Sequence, residues 1–326
     1  MSNHTTADLK ASLGLNQADR KVVAACAGWA VVSAVGFILY GVLLSKIRPD
    51  WFPTVAGLLK LGAFLIAAAL CWRNARDRLI LSGQSVWQAI ALGMTCYALG
   101  DITVMVWRSV WGITSAVSLG DAFYGASYLF LAIGLSQAVL PRQTHLRPSQ
   151  SIGIAAVGIV GIVLACWLNF YAPSFSGVPS AEVTAARVDA VKVGQKEAAI
   201  GVIARAENRA PAIVQLIDQR LSRVSDKIGL LYVVGDCVLI VMAAALLMAF
   251  WGGTYSAAWK PIALAGLCLY IADMFFIYDV GRGVYTQGSP WEIFWVLSAL
   301  LFGLGADIER GVSMKMQRHR VRQQRI

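Results

Sequence analysis

Apolar residues run along this chain in blocks of about 20, separated by shorter polar segments. A helix of that length crosses a hydrocarbon core of roughly 30 Å. Eight blocks, at about 22–46, 52–72, 85–107, 121–140, 150–171, 228–251, 258–281 and 289–308, predict eight transmembrane helices. One connection is long, about residues 172–227. It reads as a helical hairpin. Ser180 is placed to cap a first helix reaching about Asn208, and Pro211 breaks the pattern. A second stretch then sets Ile213, Leu216, Ile217, Leu221 and Val224 on one face and runs toward the sixth span.

Composition agrees with the pattern. Hydrophobic residues make up 58% of the 326 positions and charged residues only 14%, too little charge for a soluble domain. The polar first 21 residues and the long apolar block after them predict an uncleaved N-terminal segment. Basic residues gather in short loops (Arg73, Arg76, Arg78; Arg142, Arg147) and in the 309–326 tail (Arg310, Lys315, Arg318, Arg320, Arg322, Arg325). The positive-inside rule then places both termini in the cytoplasm and the 172–227 hairpin outside. Much of the +10 net charge faces anionic lipid, so a nucleic-acid partner is not needed to explain it. A protein partner is expected through the hairpin or the tail. The six cysteines lack metal-binding or haem-attachment spacing, and the three histidines lie outside the spans, so no cofactor or metal is expected.

The blocks are interrupted by acids. "ALGMTCYALGD" (91–101) aligns with "ALAGLCLYIAD" (263–273), and "SLGDAFYGASYLFLAIG" (118–134) with "SPWEIFWVLSALLFGLG" (289–305). Asp101 and Asp121 are thereby equivalent to Asp273 and Glu292, separated by 20 residues in one copy and 19 in the other. "AAAL" at 67–70 and 243–246 sets Lys60 opposite Asp236. The fold class expected is all-α, with two parallel four-span repeats at 22–140 and 150–308 and the hairpin inserted in the second. In this orientation Asp101, Asp121, Asp236, Asp273, Asp279 and Glu292 all fall in the outer half, with Lys60 at similar depth, Arg108 and Arg282 at the rim, and the inner half free of acids.

Two readings of that band stay open. In one, Lys60, Arg108 and Arg282 pair with the acids and lock the halves together. In the other, the acids line an outward-open cavity for a cationic or hydrogen-bonding ligand, walled by Tyr97, Tyr124, Tyr232, Tyr278, Trp291 and Trp295. Ser118 and Ser289, each three residues before an acid, are expected to cap the fourth and eighth helices.

The repeated Gly-Asp or Ala-Asp in a Tyr-containing span, followed by "S-x-x-D-x-F-Y", resembles the multi-span sensor regions that precede diguanylate cyclase or histidine kinase domains in bacteria. The likeness covers about residues 22–171 and 228–308. It implies that Asp101, Asp121, Asp236 and Asp273 take the characteristic acidic positions and Tyr124 the aromatic one. The chain departs from that family in having no cyclase or kinase motif, so its output would pass to a separate protein. The function expected is a non-enzymatic sensor that receives a ligand or partner outside and relays to a cytoplasmic partner. The alternative is a structural subunit of a membrane complex. A transporter is disfavoured by the missing inner acids, and a lipid-processing enzyme by the absence of a nucleophile–base pair.

Overall fold

The computed structural model describes residues 17–44, 47, 49–113, 117–140, 148–170, 210–250, 256–282 and 284–323. Every regular element among them is helical. We number the α-helices α1 (Gln17–Ile38), α2 (Phe52–Arg76), α3 (Gln84–Ser109), α4 (Gly120–Val139), α5 (Pro148–Phe170), α6 (Ala212–Ser222), α7 (Ser225–Ala249), α8 (Ser256–Gly281) and α9 (Ile293–Gln323). A π-helical turn, Leu39–Leu43, extends α1, and a 3-10 turn, Pro290–Glu292, leads into α9. All except α6 are long and apolar enough to cross a membrane, which gives the eight spans the apolar blocks predict.

The principal contacts run in a closed cycle: α2 on α3, α3 on α4, α4 on α7, α7 on α8, α8 on α9, and α9 back on α2. The buried core, including Phe64, Trp87, Leu131, Leu246, Trp259 and Phe302, lies among these six helices. The other two long helices sit outside the cycle, α1 mainly against α9 and α5 mainly against α7. Their outward faces are branched and apolar: Val31, Val32 and Val35 on α1, Ile159, Val160 and Val163 on α5. Side chains of that kind at an exposed helix surface suit hydrocarbon contact.

The predicted first hairpin helix, to about Asn208, lies outside the described residues. The second stretch is a helix, but it does not run into the sixth span. α6 ends at Ser222 and α7 starts at Ser225, with Arg223 and Val224 between them. The face it packs also differs from the expected one. Ala210, Val214 and Ile217 sit against Trp107, Trp111 and Ile113 near the end of α3, and Ile213 and Leu216 are left exposed. The indole of Trp107 also donates to Asp218, 3.4 Å away, on the same side of the helix.

Candidate functional site

Glycines next to two acids open the way to the site. An added Cβ at Gly100 would come within 2.5 Å of the Tyr124 ring, and one at Gly235 within 2.6 Å of the Tyr128 ring. Each tyrosine therefore lies against a bare helix backbone and reaches an aspartate beside that glycine. The Tyr124 hydroxyl donates to Asp101 Oδ1 at 2.8 Å. The Tyr128 hydroxyl stands 2.9 Å from Asp236 Oδ1 and 2.5 Å from Asp273 Oδ2. Tyr124 and Tyr128 are four residues apart on α4 and so share one face.

Two further links close a circuit. Lys60 on α2 forms an ion pair with Asp101 at 3.0 Å, and its ammonium lies 4.6 Å from the centre of the Trp295 ring. The Trp295 indole donates to Asp273 Oδ1 at 2.8 Å. Polar contacts thus join α2 to α3 and α4 through Asp101 and Tyr124, and α4 to α7, α8, α9 and back to α2 through Tyr128, the two runs meeting on one face of α4. Phe64 and Tyr97 stack beside it with ring centres 4.1 Å apart. No family model, characterised protein or solved structure matches the chain.

The acids of this circuit are interior groups, not cavity walls. Relative exposure is 6% for Asp101, 0% for Asp236 and 7% for Asp273. Burial on that scale is tolerable only with hydrogen-bond and charge partners. Lys60 supplies one such partner, though to Asp101, whereas the internal alignment sets Lys60 opposite Asp236. Arg108 and Arg282, the other two cations of the pairing reading, form no ion pair among the described residues. Both are exposed, Arg108 donating to Gln287 Oε1 at 3.1 Å and Arg282 to the Tyr278 hydroxyl.

The remaining predicted residues form satellites. Asp121 Oδ1 accepts from the Tyr232 hydroxyl at 2.7 Å, and Asp121 Oδ2 from the Ser118 backbone N–H at 2.7 Å. Ser118 Oγ in turn accepts from the N–H of Gly120 at 3.1 Å, so hydrogen bonds of the kind expected at Ser118 are present, although the N-cap residue of α4 is Leu119. The corresponding side-chain cap is not made by Ser289, because its hydroxyl turns to Asp279. Glu292 Oε1 takes the Gly288 N–H at 2.8 Å and the Tyr285 hydroxyl at 2.9 Å instead. Burial, with Glu292 alongside, holds the Tyr285 hydroxyl well above its usual titration range. Asp279, Tyr285, Ser289, Trp291, Glu292 and Trp295 line a small crevice open to the surface.

A second polar layer was not anticipated. Asp307 and Glu309 on α9 are each 1% exposed, so acids also occur at the end of the bundle expected to lack them. Arg73 pairs with Asp307 at 2.7 Å, and Asn74 donates to the carbonyl of Ala306 at 2.7 Å. The backbone N–H groups of Leu81 and Ser82 donate to Ser313 Oγ and Glu309 Oε1, both at 3.2 Å. Arg310 approaches Asp77 at 3.7 Å. The 77–83 loop is thereby fastened to α9. Asp307 is 15 residues beyond Glu292, which separates the two layers by about 22 Å. Of the basic tail, Arg310 and Lys315 are partly buried. The side chains of Arg318, Arg320 and Arg322, and all of Arg325, lie outside the described residues.

Proposed function

We propose that this chain is a non-catalytic, sensor-like protein of a bacterial inner membrane, which receives a partner at the α6 face and relays the event along α9 to a cytoplasmic partner. The observation that supports the reading is the reach of α9. The 3-10 turn leading into it carries Glu292 and its first turn Trp295, both of one polar layer, and its middle carries Asp307, Glu309 and Ser313, which hold the 77–83 loop. It then continues to Gln323 as part of a 31-residue helix, about 46 Å long. A rigid rod fixed in both layers converts a shift in one into a shift in the other.

Two parallel four-span halves, with both termini cytoplasmic, belong to the same reading. The contact cycle supports it: α2 on α3 and α3 on α4 correspond to α7 on α8 and α8 on α9, while α4 on α7 corresponds to α9 on α2. Tyr124 donating to Asp101 and Trp295 donating to Asp273 are the matching bonds of the two halves. The outer input is a docking partner rather than a small molecule, since the acids are buried and the crevice beside them is small. The basic tail adds affinity for anionic lipid.

Hydrogen–deuterium exchange in lipid nanodiscs tests the relay. Glu292→Gln should raise exchange at residues 77–83, in the far layer, without loss of helix content. A change confined to residues 285–295 would count against it. The second reading, a structural subunit, is favoured by the exposed Ile213 and Leu216 on α6. Removal of residues 318–326 separates the two. Loss of a downstream response with complexes intact supports the relay, and loss of the complexes themselves supports the subunit.

A further inference from the structure

The hydroxyl of Tyr128 carries a single hydrogen yet stands at bonding distance from two carboxyl groups, Asp236 at 2.9 Å and Asp273 at 2.5 Å. It can donate to one of them. The other contact is a hydrogen bond only if that carboxyl brings a proton of its own. Asp236 Oδ2 makes the same demand separately: it is buried and no donor among the described residues reaches it. Both carboxyls converge on the one Tyr128 hydroxyl oxygen, so Asp236 and Asp273 face each other across it without a cation between them.

Charge counting points the same way. In the circuit one cation, Lys60, faces three aspartates, and it is committed to Asp101. The position in the second half that corresponds to Lys60 is Asp236 itself. The first half therefore holds an ammonium–carboxylate pair where the second holds carboxyl against carboxyl. Two bare carboxylates sharing one hydroxyl and out of water would be far more costly than one carboxylate and one carboxylic acid.

We propose that Asp236 and Asp273 form a proton-binding site, whose ligand is one exchangeable proton held between the two carboxyl groups and oriented by Tyr128. The titratable groups facing it are Tyr128 on α4, Lys60 on α2, Tyr97 on α3, Tyr232 and Cys237 on α7 and Tyr270 on α8. Lys60 is the one cation among them. Release of the proton would set two negative charges against each other at the α7–α8 contact, with a tyrosine from α4 wedged between them. The site stands independently of the relay reading.

The test is infrared spectroscopy of the full chain in nanodiscs near pH 7, in the carbonyl-stretch region of protonated carboxylic acids. One band should vanish in Asp236→Asn and in Asp273→Asn, persist in Asp101→Asn, and shift in frequency without vanishing in Tyr128→Phe. Absence of such a band overturns the proposal, as does a band that survives both substitutions. A band that appears only when sodium is replaced by N-methylglucamine also overturns it, by showing a metal cation in the place of the proton. An amide resembles a protonated carboxyl in shape, so both asparagine variants should fold. If either does not, the Tyr128→Phe spectrum decides, and an unshifted band refutes the assignment.

Discussion

The ion pair between Lys60 and Asp101 shows most clearly what single residues do in this molecule. It is largely withdrawn from solvent, so removing one partner leaves an uncompensated charge and not merely a missing contact. Lys60→Met should lower stability by about 3–5 kcal/mol, and Lys60→Met with Asp101→Asn should recover most of that loss. Thermal unfolding in detergent of the two variants measures this; an equal cost in both would contradict it. The glycines make a second case. Gly100→Ala and Gly235→Ala drive a methyl group into a tyrosine ring and should each cost about 1–3 kcal/mol. Gly229→Ala, on the same helix as Gly235 but with open space around it, should be neutral or stabilising by up to about 1 kcal/mol. A common effect at all three positions would remove the tyrosine packing from the argument. At this scale the sequence was legible in its acids and much less so in their partners. Internal alignment relates positions of equal rank in two halves, and equal rank is not contact. Lys60 opposite Asp236 therefore named two equivalent places and missed the true neighbour, Asp101. Tyr128 escaped notice because its counterpart is Ala299, though its spacing of four from Tyr124 was a usable signal.

Among the elements, α9 and α6 carry the consequences. The loop held by α9 has Arg78 within it, a tryptic site; two backbone donors and the Arg310–Asp77 contact tie it to α9, and the Arg73–Asp307 bond anchors the end of α2 just before it. A charge-assisted hydrogen bond contributes about 1.5–3 kcal/mol, so Asp307→Asn should speed cleavage after Arg78 by roughly tenfold or more if local opening exposes the site. Unchanged cleavage would show that the loop is held elsewhere. The helices themselves were legible because apolar length is a strong signal, and the eight blocks correspond to the eight long helices. The buried acids of α9 were not, because hydropathy stops at the last apolar residue. The helix continues through Asp307 and Glu309, and the 77–83 loop folds over them. α6 was recognised as a helix while its packed face was misjudged. Which apolar stripe is covered depends on where Trp107 and Trp111 stand, and that is a tertiary fact.

For the whole molecule, six helices closed into a cycle by one polar circuit, with two helices outside it, make an assembly whose two ends are distinct. Three long apolar helices, α7, α8 and α9, separate α6 from the basic tail, and the proposed relay requires those two faces on opposite sides of the bilayer. The most direct measurement is labelling with a membrane-impermeant thiol reagent in a chain whose six native cysteines have been replaced. Ile213→Cys on α6 should react in intact cells once the outer membrane is opened, and Gln323→Cys at the end of α9 only after the inner membrane is permeabilised. Reaction of both from the same side would contradict the eight-span arrangement, and with it the relay along α9.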